Sequence, residues 1–302
     1  MLRTTLLQLS ESPRAARWIT RNAVSRRVAR RFVAGETLDD AIAAARASNQ
    51  AGMSASLDFL GENVASEAEA RQVREMYFGV FDRIAAEKLD ANVSLKLTQL
   101  ALDLDERLCV ELLTSIVEHA ARHNNFVRID MEGSEYTQRT VDLCKRVRAK
   151  SAAVGTVMQA YLYRTEEDVR GLLAAGSRLR LCKGAYKEPV SVAFPEKREV
   201  DANFVKVMKL LLPSGIYHGI ATHDPAMIAA TRDFAAQNGI GKHTFEFQML
   251  YGIRADLQQQ LVRDGYRMRV YIPYGTQWFP YFMRRLAERP ANLVFFAKNL
   301  FR

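Results

Sequence analysis

The sequence predicts a (β/α)8 barrel, and three observations carry that prediction. Eight short β-type segments alternate with helical stretches from residue 53 onward, the order that pairs strands in parallel through right-handed crossovers. Within those segments polar and apolar side chains alternate, as they do when one set packs under outer helices and the other fills a lumen. No G-x-G-x-x-G fingerprint follows the first segment, which weighs against an open doubly wound sheet. The bulk numbers agree: 302 residues, 48% hydrophobic and 25% charged, leave room for the roughly 250 residues of such a barrel. No apolar run approaches the roughly 18 residues of a membrane-spanning helix.

Residues 1–49 read as an N-terminal helical arm and 50–302 as the barrel. Residues 1–32 hold eight arginines against one acid, Glu11, so +7 of the net +9 lies there and +2 remains for the rest. Val24, Val28 and Phe32, at four-residue spacing, give the arm an amphipathic helix that Gly35 can end. Thr37 and Asp40 then form a capping-box start for an alanine-rich helix ending near Ser48. An Arg-rich, acid-poor start also imitates a transit peptide, but no signal-peptide core or cleavage pattern follows. The arm is expected to be a solvated basic helix, with peripheral contact to an anionic membrane surface as its functional alternative. A nucleic-acid-binding module using the arm would leave the polar lumen described below unexplained, so no nucleic-acid partner is expected.

Strands are expected at 53–59, 92–99, 126–132, 154–162, 177–184, 217–223, 243–249 and 267–274. Helices are expected at 64–88, 105–123, 136–151, 166–175, 199–212, 226–237, 254–264 and 277–288. Side-chain parity turns Ser94, Lys96 and Thr98 inward on the second strand, and Arg128, Asp130 and Glu132 on the third. Gln159 with Tyr161, Arg178 with Arg180, Glu246 with Gln248, and Arg269 with Tyr271 follow the same rule. Buried charge is costly unless it is paired or faces a ligand. Lys96, Asp130, Arg180 and Glu246 could satisfy one another, yet they converge toward the strand ends where barrel enzymes keep their chemistry.

The last helical stretch carries Tyr281, Arg284, Arg285 and Glu288 at steps of three and four, hence on one face. Two adjacent arginines there suit a bound carboxylate. In GIATHDP, Thr222 and His223 close a strand just before the helix opened by Asp224 and Pro225, a place that suits a phosphate or a ring edge. His119 and His123 stand at i, i+4 beside Glu118, a spacing compatible with zinc, but no further ligand lies nearby in the chain and no metal is expected. Cys109, Cys144 and Cys182 form no C-x-x-C pair, so neither a disulfide framework nor a zinc site is indicated, and a reducing cytoplasm fits.

Seven segments together, SLKLTQL, RIDMEGSEYT, MQAYLYRT, RLCKGAYKEP, ATHDP, EFQMLYGIR and YIPYGTQWFPYFMRRLAERPANL, resemble the successive motifs of the FAD-dependent, monofunctional bacterial proline dehydrogenase family, in its order across about 50–302. The resemblance implies a distorted barrel with non-covalent FAD at its carboxyl face and the last helix across the barrel mouth. It implies flavin contacts at Met131, Gln159, Arg180, Lys183, Gly184, Ala185, Thr222, His223 and Gln248. It implies a proline pocket at Lys96, Asp130, Leu250, Tyr271, Tyr281, Arg284 and Arg285, with Tyr186 and Glu288 nearby. Cys182 departs from the aliphatic residue, usually valine, that the family has there.

The implied reaction is oxidation of L-proline to 1-pyrroline-5-carboxylate by hydride transfer to FAD, the first step of proline catabolism. Asp130, Arg180 and Tyr271 would be the catalytic residues, with Arg180 near flavin N5. Electrons would pass to a membrane quinone, which places the protein in the cytoplasm or at the inner face of the membrane. A separate pyrroline-5-carboxylate dehydrogenase would act downstream. The residues alone also allow a Schiff-base aldolase, since Lys96 or Lys183 in a lumen could be nucleophilic if burial lowered its pKa.

Overall fold

The computed structural model describes residues 27 and 29–288, with side chains as far as Arg285. Val24, Val28 and most of the basic arm lie outside the described residues. Helix α1 (Leu38–Gln50) leads into β1 (Ser54–Phe59), α2 (Glu67–Ala86), β2 (Ala91–Leu95), α3 (Glu106–Arg122), β3 (Val127–Ile129) and α4 (Thr137–Arg148). There follow β4 (Val154–Gln159), α5 (Thr165–Ala174), β5 (Arg178–Cys182), α6 (Lys197–Leu211), β6 (His218–Ala221), α7 (Pro225–Gln237), β7 (Phe245–Leu250), α8 (Ala255–Arg263), β8 (Arg267–Tyr274) and α9 (Trp278–Glu288). The eight strands form a closed barrel in sequence order, every neighbour parallel. Closure comes from β1 against β8, which sets Ser56 beside Tyr271 and Asp58 beside Pro273.

Local chemistry starts the helices where the sequence says. The Thr37 hydroxyl accepts from the Asp40 amide at 3.2 Å while the Asp40 carboxylate accepts from the Thr37 amide at 3.0 Å, satisfying two otherwise orphaned donors. Asp105 caps α3 through the Arg107 amide at 2.7 Å, and Asp224 caps α7 through the Ala226 amide at 3.0 Å. Leu108, Leu112, Ile116 and Ala120 recur at helical spacing on α3 and are buried against the barrel, each large side chain stabilising the fold by about 1.5–3 kcal/mol. The main core lies between strands and helices, and α1 adds Ala41, Ile42 and Ala45 to it.

A second apolar cluster closes the carboxyl mouth. It joins Ala29, Phe32 and Val33 to Trp278, Phe279, Phe282 and Met283 of α9, with the Phe32 and Phe282 rings 6.2 Å apart. The last helix thus lies across the mouth, as expected. No described helix is long and apolar enough to cross a membrane.

Strands two to six end two to four residues earlier than alternation predicts, the fifth at Cys182 and the sixth at Ala221. The second stops at Leu95 and passes into a 3-10 turn at Leu97–Leu100, the third ends at Ile129, and the fourth ends at Gln159. Polar alternation outlasts the hydrogen-bonded ladder because Lys96 keeps an extended backbone, φ −108° and ψ 142°, beyond the last pair. Arg178 is the larger correction. It opens β5 as an exposed residue rather than a lumenal one, its guanidinium lying over Phe126 and Tyr217 at the amino-terminal end. An arginine stem can cross a rim and leave its charge in water, so parity alone did not locate it.

Candidate active site

A cavity of about 520 Å³ opens at the carboxyl ends of the strands, beneath α9. A hollow of about 830 Å³ at the opposite, amino-terminal mouth is larger, but it gathers none of the convergent groups described next.

Asp130, one residue past β3, is gripped from two sides. Its Oδ1 accepts from Arg180 Nη1 at 2.6 Å and its Oδ2 accepts from the Tyr271 hydroxyl at 2.7 Å. Arg180 also donates from Nε to Gln248 at 2.5 Å and from Nη2 to Ser94 at 3.1 Å, and stands over the Tyr271 ring at 5.1 Å. Each nitrogen of the guanidinium therefore has its own partner, and a planar fork held this way has one orientation. Burial and the Asp130 charge push the Tyr271 phenol well above its ordinary range, so it acts as a donor.

Lys96 pairs with Asp58, Nζ to Oδ1, at 3.3 Å. Burial alone would depress the ammonium, but Asp58, then Glu62 and Asp130, outweigh it and hold the Lys96 pKa above its ordinary value. Desolvation conversely raises the Asp58 carboxyl against the pull of Lys96. Asp58 Oδ2 is buried with no hydrogen-bond partner among the described residues, and Asp58 lines the cavity.

Over this floor α9 presents Tyr281, Arg284 and Arg285 to the same cavity. Arg284 donates to Glu62 at 3.1 Å, and the Arg285 guanidinium lies over the Tyr281 ring at 5.1 Å. Leu250 and Tyr186 complete that side. The side chain of Glu288 lies outside the described residues.

The far end of the cavity is built for something flat and extended. Gly184 has φ +119°, and a Cβ there would stand 2.5 Å from the Tyr161 ring, so only glycine lets the chain of Lys183, Gly184 and Ala185 run along the rim. Lys183 is held between Asp201 and Asp224, the latter at 2.6 Å. His223 accepts the Leu250 amide at 3.0 Å. Gln159 donates to the Glu132 carbonyl at 2.8 Å, and Thr222 accepts from the Asp224 amide at 3.1 Å. Met131, Gln159, Thr222, His223 and Gln248 all line the cavity with them. An apolar slot with a side-chain-free backbone edge and an arginine at its centre fits a planar ring system with an anionic tail.

Of Lys96, Asp130, Arg180 and Glu246, expected to converge at the strand ends, Glu246 departs: it pairs with Arg269 at 2.7 Å and does not line the cavity. Sequence reading missed Asp58, Glu62 and Asp201. Asp58 was discoverable, since Ser54, Ser56 and Asp58 alternate with apolar residues on β1. Glu62 sits in a loop and Asp201 on a helix, where no period marks them.

A family model described as proline dehydrogenase matches residues 41–298. Proline dehydrogenase 1 of Bacillus subtilis (strain 168) is 45% identical over 300 residues, covering 99% of this chain and 99% of that protein. Proline dehydrogenase of Deinococcus radiodurans is 38% identical over 278 residues, covering 90% of each. The crystal structure of proline utilization A (PutA) from Bdellovibrio bacteriovorus, inactivated by N-propargylglycine, superposes with a TM-score of 0.82 at 28% identity. This chain covers 87% of its own length in that match and spans 33% of the PutA chain.

Proposed function

Because the chain belongs to the proline dehydrogenase family, we propose that the cavity under α9 is where it oxidises L-proline to 1-pyrroline-5-carboxylate, with FAD in the slot bordered by Gly184. FAD, when bound, supplies the hydride acceptor. Everything else falls to the chain. Arg284, Arg285 and Lys96 bind the proline carboxylate, two of them as planar forks. Tyr271, Tyr281 and Leu250 shape the ring pocket and exclude water. Asp130 positions Arg180 and Tyr271, and a guanidinium fixed by four side chains is an electrostatic group that need not reorganise during reaction. Lys183, Gly184, Ala185, Met131, Gln159, Thr222, His223 and Gln248 hold the cofactor. Electrons leave to a quinone at the membrane face, and oxidation of the hydrated imine requires a pyrroline-5-carboxylate dehydrogenase activity.

The observation that carries this reading is the single cavity shared by the Arg284–Arg285 pair and the Asp130–Arg180–Tyr271 cluster. It also disfavours the aldolase alternative: a Lys96 held as ammonium by Asp58 is not a nucleophile. The test is the absorption spectrum of the purified protein under anaerobic conditions, before and after proline. Flavin bands that bleach on addition, with imine trapped as product, are expected. A colourless, proline-oxidising protein would remove FAD from the proposal.

A further inference from the structure

At the other end of the barrel, three potential metal ligands meet on the outer face of α2 and α3. Asp82 of α2 places Oδ1 2.7 Å from Nε2 of His119 and 3.0 Å from Nε2 of His123. All three ligand atoms lie within 4.8 Å of one another. The two histidines are one helical turn apart, so both rings leave α3 on the same side, and a carboxylate from a neighbouring helix completes a facial set. The third ligand missing from the sequence around His119 thus comes from 37 residues away.

The rings are preorganised. His119 stacks on Phe78 with centroids 4.3 Å apart and an interplanar angle of 11°, so its Nε2 is aimed by packing. His119 is only 14% exposed while Asp82 is 57% exposed, leaving the open side toward solvent, where water can occupy the remaining position.

We propose that Asp82, His119 and His123 form a binding site for a late divalent transition metal such as zinc, which clips α2 to α3. Two imidazoles and one carboxylate suit zinc, nickel or copper rather than the all-oxygen shell that magnesium and calcium take. The site lies where α3 ends, just before β3 enters the barrel from its amino-terminal side, the end where barrels carry stability rather than chemistry. Its consequence is therefore a stabilised fold with unchanged turnover, and it stands independently of the reaction assigned above.

One neighbour opposes the metal and makes the proposal specific. Arg122 Nη2 contacts His119 Nδ1 at 3.0 Å; because a guanidinium only donates, Nδ1 is the acceptor and Nε2 carries the proton. Coordination through Nε2 requires that proton to leave for solvent and one to return to Nδ1, so Arg122 must swing away. Removing Arg122 should then tighten metal binding.

The test uses untagged holoenzyme stripped with a chelator and titrated with zinc, read by calorimetry and by thermal denaturation. One zinc per chain is expected, with a Tm raised by roughly 5 °C at zinc 100-fold above Kd. Asp82→Asn and His123→Gln, both exposed enough to fold normally, should each weaken binding at least tenfold, whereas Arg122→Ala should bind more tightly than wild type. Proline turnover should be equal in all four proteins. No saturable uptake by the wild type, or wild-type zinc affinity in Asp82→Asn or in His123→Gln, would overturn the site. Weaker binding by Arg122→Ala would overturn coordination through His119 Nε2.

Discussion

Arg284 and Arg285 are neighbours in the chain, yet the structure gives them different companions: Arg284 donates to Glu62 and Arg285 lies on the Tyr281 ring. A lysine in either place keeps the charge and loses the fork. Arg285→Lys should raise KM for proline about tenfold, the loss of one charge-assisted bond worth ~1.5 kcal/mol, while kcat changes little and flavin content is unchanged. Wild-type KM in steady-state assays with a dye acceptor would take Arg285 out of the carboxylate site. Tyr271 offers a sharper separation, because its hydroxyl serves Asp130 and its ring serves the pocket. Tyr271→Phe should lower kcat/KM for proline and 4-hydroxyproline in parallel, since the bulk stays. Tyr271→Ser should narrow the preference for proline, a shift within the ~100-fold that an added hydroxyl usually commands in an apolar pocket. If the ratio of the two substrates is the same in all three proteins, the ring is not what Tyr271 reads.

At the scale of elements, the eight strands and the helices between them were legible because parity and helical spacing are imposed by the barrel itself. Lys96, Asp130, Gln159, Arg180, Gln248 and Tyr271 were found the same way, from inward parity. What parity cannot see is where hydrogen bonding stops, which is why strands two to six were read too long. It is also blind to residues from loops and outer helices, so Glu62 and Asp201 left no trace. The start of the described chain is a related case. Composition marks residues 1–32 as one basic arm, yet Phe32 is buried against Phe282, and the Ala34 amide donates to the Pro273 carbonyl at 2.9 Å. Deleting 1–26 should leave dye-coupled turnover within about twofold, because every described member of the cluster over the mouth is kept. Deleting 1–33 should cost the ~3–5 kcal/mol of a lost buried phenylalanine, seen as a fallen Tm and weakened proline binding. Equal Tm values for the two truncations would show that the mouth does not depend on Phe32.

The whole molecule divides its polar interior between two ends, and the two respond differently to acid. At the carboxyl end charges are paired around the cavity; at the amino end lies a buried histidine whose charged neighbours are arginines. His218 is fully buried, accepts the Leu179 amide on Nδ1 at 3.0 Å, and shares a 3.0 Å contact between Nε2 and the Ser214 hydroxyl. A ring whose Nδ1 accepts must be the neutral tautomer with its proton on Nε2. Burial foremost, with the nearby Arg128 charge, lowers its pKa from 6.5 to about 3. The unfolded chain therefore takes up this proton before the folded one does. Stability from His218 is complete above pH 6.5 and is lost as pH falls toward 3, by up to about 1.4 kcal/mol per pH unit in between. Asparagine at this position keeps an acceptor near Nδ1 and cannot titrate. His218→Asn should be less stable at pH 8, where a well-packed ring has been removed, but its unfolding free energy should fall less steeply than that of the wild type between pH 6.5 and 4.5. Urea denaturation at four or five pH values in that window gives the two slopes, with both proteins in the same buffer and ligand conditions. Parallel slopes would mean that the acid response of the barrel comes from its carboxylates and that His218 is silent.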